Sequence, residues 1–352
     1  MDRQFSRAKF LKSAGLTTLG AVFPLLWRAH GGEAVQDPIS ATVERLFQSS
    51  IVIDGVVSPW VNEDRFPGSP GEIDQLTAID IGAFTVPVEQ LRETFSWKRE
   101  FQQERNNAFV LIERASDIDL AWRTNRYGPI LYVQKDIHLG GSVAPLLEWK
   151  RDGLRILQIT YSNENELGGG DRPESTDLPL SPLGRDVVKE LNRLNMVVDV
   201  SHTGRRTTLD VVETTSQPIT ANHTSAAALT DHFRAKSDQE LRAIAGTGGV
   251  IGVVTVGRFI ERPGRPRSID DFVAHVDYMV ELVGIDHVGV ATDGWLSGAP
   301  AYETDRVDPL LNGMDRWKHV AQRLFDMGYS ATDLQKLLGL NFKRVYQYVL
   351  DP

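Results

Sequence analysis

Residues 181–203 read SPLGRDVVKELNRLNMVVDVSHT. Ser181 before Pro182 marks a helix start. Serine is a good N-cap, and proline suits the first helical position, where its missing N–H is no loss. Leu183, Val187, Leu191 and Leu194 then recur at spacings of four, four and three, one face of a helix. The run MVVDV follows, apolar on both faces, as suits a parallel strand covered by helices. The strand ends on His202. A helix, a buried strand and a chemically active side chain at the strand's C-terminal end thus form one unit, which the rest of the chain repeats.

Eight β-branched or apolar runs recur: Ile51–Asp54, Ala83–Val86, Ile130–Gln134, Leu154–Tyr161, Met196–Ser201, Ile219–Asn222, Val250–Val256 and His287–Thr292. A second clear helix is expected over Ile269–Val283, with Phe272, Val273, Val276, Met279, Val280 and Val283 on one stripe. His275 in that segment reads as a helix-surface histidine. Alternating strands and helices predict an α/β fold, a (β/α)8 TIM barrel, as a single domain over 37–352. A doubly wound open sheet is the alternative. In a barrel the long loops after the first, fourth, seventh and eighth strands sit on the C-terminal face, where active sites lie. GGGD at Gly168–Asp171 lacks the lysine and spacing of a phosphate loop and reads as flexible loop. The arginines of 258–267 read as a solvated loop ahead of an anion site.

Residues 1–36 are expected to be an address. MDRQFSRAKFLK carries four basic side chains and one acid, the stretch from Ser13 to Trp27 is uncharged, and small residues follow at Gly31, Gly32 and Ala34. That is the order of an export signal. SRAKFLK resembles a twin-arginine motif with Ala8 in place of the second arginine. The expected location is periplasmic or extracellular, with membrane attachment only if the segment stays uncleaved. The whole chain of 352 residues has a net charge of −9, which argues against nucleic acid as a partner. It has no cysteine, so any metal must be held by His, Asp, Glu or neutral oxygen donors.

Three strand ends carry the chemistry: DVSHT places His202, TANHT places His223, and GVATDGW places Asp293. Neighbouring parallel strands lie about 4.8 Å apart, so two imidazoles at adjacent tips can converge on one ion. Zinc prefers nitrogen donors and, in hydrolases, takes three protein ligands and a water. Asp293 is placed to give a ligand oxygen or to take a proton from water.

The chain is similar to the membrane (renal) dipeptidases, zinc peptidases of the amidohydrolase type with a (β/α)8 barrel. The resemblance spans roughly 45–350 and rests on long motifs in order. They are IVIDG (51–55), DGLRILQITYSNENELGGG (152–170), LSPLGRDVVKELNRLNMVVDVSHTGRRT (180–207), PITANHTSAAAL (218–229), FRAKSDQELRAIAGTGGVIGV (233–253), IDHVGVATDG (285–294) and LLGLNFKRVYQYV (337–349). The resemblance implies that His202 and His223 hold one metal and that Asp293 binds metal and handles the proton. It implies that Arg234 receives a substrate carboxylate. It also exposes departures. The family's His-x-Asp pair after the first strand's DG is replaced by Val56-Val57-Ser58. The bridging glutamate is Gln134, and the substrate-side histidine after the fourth strand is Tyr161. Half of a binuclear site is therefore missing, with Asp54 and His138 nearest the vacated positions. His138 reads as a loop residue. His232, His287 and His319 read as structural or surface residues, and Trp60 and Trp295 as packing at the mouth.

The expected activity is hydrolysis of a dipeptide or similar small carboxylate-bearing amide, with zinc as cofactor, one per chain or none. His202, His223, Asp293 and Gln134 are the metal candidates, Asp293 the catalytic residue, and Arg234 and Tyr161 the substrate contacts. The partner is a small dipeptide-like molecule, with a homodimer left open. A silent barrel that binds a small ligand and a lactone or ester hydrolase are the alternatives.

Overall fold

All eight runs form strands, and the strands pair in parallel around a ring. β1 is Ile53–Asp54, β2 Ala83–Val88, β3 Gly128–Val133, β4 Leu154–Gln158, β5 Val197–Asp199, β6 Thr220–Ala226, β7 Val250–Val254 and β8 Val288–Ala291. Pairing passes from each strand to the next. Asp54 opposite Val290 joins β8 back to β1. The computed structural model describes residues 38–58, 83–88, 109–134, 137–262, 267–295 and 308–351, all within the unit Pro38–Pro352. The result is an α/β fold whose parallel strands curl into a TIM-barrel-like sheet. An open sheet has two edge strands with one partner each, whereas all eight strands here have two. The export segment over 1–36, Trp60 and the side chain of Trp295 lie outside the described residues. No helix among the described residues is long and apolar enough to cross a membrane.

Helices fall between the strands: α1 Ala41–Gln48, α2 Ala115–Arg123, α3 Pro145–Arg151, α4 Pro182–Arg193, α5 Arg205–Thr214, α6 Asp238–Gly246, α7 Ile269–Val283, α8 Arg316–Asp326 and α9 Asn341–Leu350. The start of α4 is as its sequence predicts: Ser181 Oγ accepts from Gly184 N at 2.9 Å. α6 carries a capping box, in which the Glu240 carboxylate accepts from Ser237 N at 2.9 Å.

Strand residues split by parity, as a pleat requires. Ile53, Ile130, Tyr132, Ile156, Val197 and Val250 pack with Phe342, Tyr346 and Val349 of α9. Leu131, Val133, Leu157, Val198 and Ile251 pack instead with helix residues such as Val187, Leu191 and Phe272. The Phe342 ring needs room that glycine supplies. A Cβ on Gly289 would stand 2.6 Å from Phe342 Cε2, and one on Gly252 would stand 2.0 Å from the Asn222 carbonyl oxygen.

Two expectations are corrected. The fourth run extends to Tyr161 in the sequence reading, but β4 stops at Gln158. The Gln158 amide donates to the carbonyls of Gln134 (3.1 Å) and Thr160 (2.8 Å), and the chain turns there. His275 is not on the helix surface but fully buried on the apolar side of α7. Its Nδ1 accepts from Ala226 N at 3.1 Å, and its Nε2 is 3.1 Å from the Ile260 carbonyl oxygen. Burial is the main cause that lowers its pKa to about 4, so it stays neutral.

Candidate active site

Parallel pairing puts all the strands' C-terminal ends on one rim. One buried carboxylate joins two of those ends. Asp199, the last residue of β5, accepts from Ser201 N (3.0 Å) and Ser201 Oγ (3.0 Å), and across the sheet from Thr220 Oγ1 (3.0 Å) and Asn222 N (2.6 Å). Ser201 Oγ in turn accepts from His223 N at 3.1 Å. This lattice brings the His202 and His223 rings to 5.0 Å between centroids, edge to face at 62°. Burial is the main force raising the Asp199 pKa.

The two histidines differ. His202 stacks on Tyr161 at 4.0 Å, and its Nδ1 lies 3.1 Å from Ser162 Oγ. His223 is fully buried, and neither ring nitrogen has a hydrogen-bond partner among the described residues. Burial first, then the charges of Arg234 and Lys236, press its pKa well below the usual value, so the ring is neutral. Two orphaned ring nitrogens in a protein interior call for a ligand, because buried polar atoms are otherwise paired.

The cations beside His223 are each held by a carboxylate. Arg234 Nη1 donates to Asp171 Oδ2 at 2.7 Å and to the Ser201 carbonyl at 2.6 Å, and Nη2 donates to the His223 carbonyl at 3.1 Å. The guanidinium lies 5.5 Å from the Phe259 ring centre. Lys236 Nζ contacts Glu240 Oε1 at 3.2 Å and the Thr203 carbonyl at 2.6 Å. Asp171 Oδ2 is also 3.7 Å from His202 Nδ1. Burial pushes the Asp171 pKa up, and Arg234 opposes it.

Asp171 is the site residue that sequence reasoning missed, and the reading of GGGD as flexible loop is wrong. Gly168, Gly169, Gly170 and Asp171 are all buried. A Cβ on Gly169 would stand 2.0 Å from the Ser175 carbonyl oxygen, and one on Gly170 would stand 2.3 Å from that of Tyr161. Asp171 N donates to the His202 carbonyl at 2.9 Å, and Gly204 N donates to Gly169 at 2.9 Å. The glycines are there for close approach, and an acid at the end of such a run was the available signal.

The other candidates fall around the same rim. Gln134, just past β3, is buried with its Nε2 unpartnered among the described residues. Asp293, just past β8, has φ 52, and its N–H donates to the Val56 carbonyl at 2.7 Å. Asp54 is not available as a ligand. Its carboxylate accepts from Thr292 N (2.8 Å), Val56 N (3.2 Å), Trp317 Nε1 (3.3 Å) and the Thr292 hydroxyl. Arg316, fully buried, donates to Thr292 Oγ1 at 3.0 Å. Val56 packs in the apolar cluster of Ile53 and Phe342. His138 is exposed. His287 Nδ1 is 2.8 Å from the Gly249 carbonyl, and His232 stacks on Phe233 at 4.5 Å. His319 is buried on α8. In the arginine loop, Arg262 pairs with Asp271 and Arg267 with Glu261.

A binuclear metal centre does not fit these residues. Val56 is apolar and packed, Asp54 is engaged, and no group of three or more His, Asp or Glu is gathered for a metal among the described residues. A single ion at the two histidines does fit. With Zn–N near 2.0–2.1 Å and tetrahedral angles, two imidazole centres on one zinc stand about 5 Å apart, which is the 5.0 Å separation observed.

A family model described as membrane dipeptidase (peptidase family M19) matches residues 84–351. An uncharacterized dipeptidase of Schizosaccharomyces pombe is 28% identical over 273 residues, covering 75% of this chain and 64% of that protein. Dipeptidase tcpJ of Claviceps purpurea is 25% identical over 242 residues, covering 68% and 55%. The chain thus spans between about half and two thirds of these relatives' length. Among solved structures, an amidohydrolase from Pseudomonas aeruginosa superposes with TM-score 0.77 at 23% identity, over 88% of this chain and 99% of that one. A metallo peptidase from Rhodobacter sphaeroides, liganded with a phosphinate mimic of a dipeptide, gives 0.73 at 19% identity, over 86% and 100%. At these identities the structures share the fold.

Proposed function

The chain belongs to the membrane dipeptidase family, and from that premise we propose that it is a metal-dependent hydrolase of dipeptide-like amides, built on a single-domain (β/α)8 barrel, with one zinc ion at His202 and His223. The observation that carries the reading is the pair of rings 5.0 Å apart, with both nitrogens of His223 buried and unpartnered among the described residues. Gln134 offers a neutral amide oxygen on the same rim, and Asp293 a carboxylate. An ion held there supplies Lewis acidity toward a scissile carbonyl and activates water. The residues do the rest. Asp293 takes the proton of the attacking water on its carboxylate and returns it to the leaving amine. Tyr161, stacked on His202, forms a wall against the substrate and fixes the ring plane. Ser162 Oγ at His202 Nδ1 sets which nitrogen of that ring faces the ion.

Elemental analysis of the purified full chain, before and after zinc is added back, tests this together with a dipeptide panel. About one zinc per chain, lost in His223→Ala, is the expected result. Less than about a tenth of an ion per chain, unrecovered on adding metal, removes the reading.

A second reading, a barrel that binds a small ligand without cleaving it, is favoured by the packed Val56 and the absence of a three-carboxylate-or-histidine set among the described residues. It predicts ligand binding that survives His223→Ala.

A further inference from the structure

A histidine holds a metal ion only through a nitrogen that carries no proton, so the place of the ring proton matters as much as the place of the ring. Stacking on Tyr161 at 4.0 Å fixes the plane of the His202 ring but not that proton. Ser162 Oγ, 3.1 Å from His202 Nδ1, does not fix it alone, because a hydroxyl both donates and accepts. The group beyond the serine decides. The Ser162 hydroxyl also hydrogen-bonds the Asp171 side chain. Asp171 Oδ2 accepts from Arg234 Nη1 at 2.7 Å and lies 3.7 Å from His202 Nδ1. Arginine only donates, and a carboxylate only accepts. The row Arg234, Asp171, Ser162, His202 therefore runs in one direction. Ser162 gives its single proton to Asp171, its lone pairs are left for Nδ1, and Nδ1 carries the ring proton. Nε2 keeps the lone pair. The carboxylate favours the same tautomer directly, since a negative oxygen 3.7 Å away stabilises an N–H and opposes a lone pair. All four side chains are buried, so water competes little for these bonds. The backbone holds the two segments together: Asp171 N donates to the His202 carbonyl at 2.9 Å, and Gly170 pairs with Thr203.

We propose that Asp171, acting through Ser162, holds His202 as the tautomer with its proton on Nδ1 and so reserves Nε2 for a metal ion. This rests on the reading that an ion binds at His202 and His223. Asp171 acts through two other side chains, so it is a positioning residue. His223, with neither ring nitrogen partnered among the described residues, has no comparable device.

Two measurements on the full-length protein test this. In metal-free, 15N-histidine-labelled protein, at a pH where imidazole is neutral, long-range proton–nitrogen NMR correlations read the tautomer of His202. Its signal is assigned by its loss in His202→Gln. The proton is expected on Nδ1. A proton on Nε2, or one divided between the nitrogens, overturns the proposal, and this result stands whether or not any Asp171 variant folds. Chelator competition then reads zinc affinity. Asp171→Asn keeps the size of the side chain, but its amide nitrogen donates to Ser162, which reverses the row and moves the ring proton to Nε2. It is expected to weaken zinc binding at least about tenfold. Asp171→Ala removes the carboxylate without supplying a donor, so Ser162 can still accept, and it is expected to lose less than Asp171→Asn. A residue needed only for packing or for balancing Arg234 predicts asparagine, the closer shape, to be no worse than alanine, and that order overturns the proposal. Ser162→Ala added to Asp171→Asn removes the link and is expected to bind zinc more tightly than Asp171→Asn alone; a double variant that binds no more tightly also overturns it. If the ring proton sits on Nδ1 and Asp171→Asn moves it to Nε2, but no protein binds zinc, the one-ion reading fails and the control of the tautomer stands. If wild type binds zinc and the tautomer does not respond to Asp171→Asn, this inference fails alone.

Discussion

Two halves of the rim handle polar atoms in opposite ways. On the β1–β8 side, Asp54 accepts four hydrogen bonds, Arg316 is bonded to Thr292 Oγ1 and to the Gly313 carbonyl, and Val56 closes the space with a methyl surface. On the β5–β6 side, both nitrogens of His223, Oδ1 of Asp171 and Nε of Arg234 are buried without a hydrogen-bond partner among the described residues. Buried polar atoms are satisfied unless something else is meant to satisfy them. The first half is finished as structure, and the second is prepared for a ligand. On the proposed reading the β5–β6 half is the part that keeps a metal site, while the polar atoms of the β1–β8 half hold strand ends together.

The largest effect expected from this contrast is on stability, in the half that has lost its ligands. Asp54→Ala removes the acceptor of four hydrogen bonds and a carboxylate whose charge acts on Arg316. Each buried donor left without its acceptor costs about 1–3 kcal/mol, so the four together are expected to cost about 3 kcal/mol or more. Urea unfolding of wild type and variant measures it. A loss below about 1 kcal/mol would mean that this half is not held by Asp54.

The same residue gives a pH dependence. Burial raises the Asp54 pKa from 3.8 to about 6, against the pull of Thr292 and Arg316. The folded chain therefore holds a proton that the unfolded chain releases between about pH 4 and 6. Stability contributed by this group is present below that window and falls as pH rises through it, by about 3 kcal/mol at 1.36 kcal/mol per unit. His275, lowered from 6.5 to about 4, acts in the opposite direction over the same range. The difference between wild type and Asp54→Asn, measured by denaturation at pH 4 and pH 7, isolates the carboxylate. A difference that does not change with pH contradicts the assignment.

The contrast between the halves also shows how far a sequence can be read. The eight strands and the helices over Pro182–Arg193 and Ile269–Val283 were legible because their signals are local: apolar runs, a serine-proline cap, a stripe of period 3.6. His202 and His223 were legible because each ends or lies near the end of such a run. Asp171 was not, because a glycine run reads alike whether it is loose or wedged. What wedges it is Ser175, Thr207 and the Tyr161 carbonyl, none of which a local pattern can bring there. His275 had a usable signal, three residues after Phe272 and one before Val276, and belonged to the buried stripe. The fate of Asp54 was hidden for a further reason. Its partners Thr292, Arg316 and Trp317 lie more than 230 residues away in the chain.

The smallest effect on stability is expected in the prepared half. Neither ring nitrogen of His223 has a hydrogen-bond partner among the described residues, so both are desolvated without return. Replacing an unpaired buried polar group with an apolar one of similar shape is neutral or stabilising. His223→Leu in metal-free protein should therefore unfold within about 1 kcal/mol of wild type, on either side, where Asp54→Ala falls well below it. The two proteins should part when zinc is added. At a free zinc concentration a hundred times the dissociation constant, a folded-state ligand adds about 2.7 kcal/mol, and only wild type should gain it. If the leucine variant is destabilised as strongly as Asp54→Ala without metal, then His223 is a packing residue and the two halves do not differ. If it gains the same stability from zinc as wild type, the ion binds elsewhere on the chain.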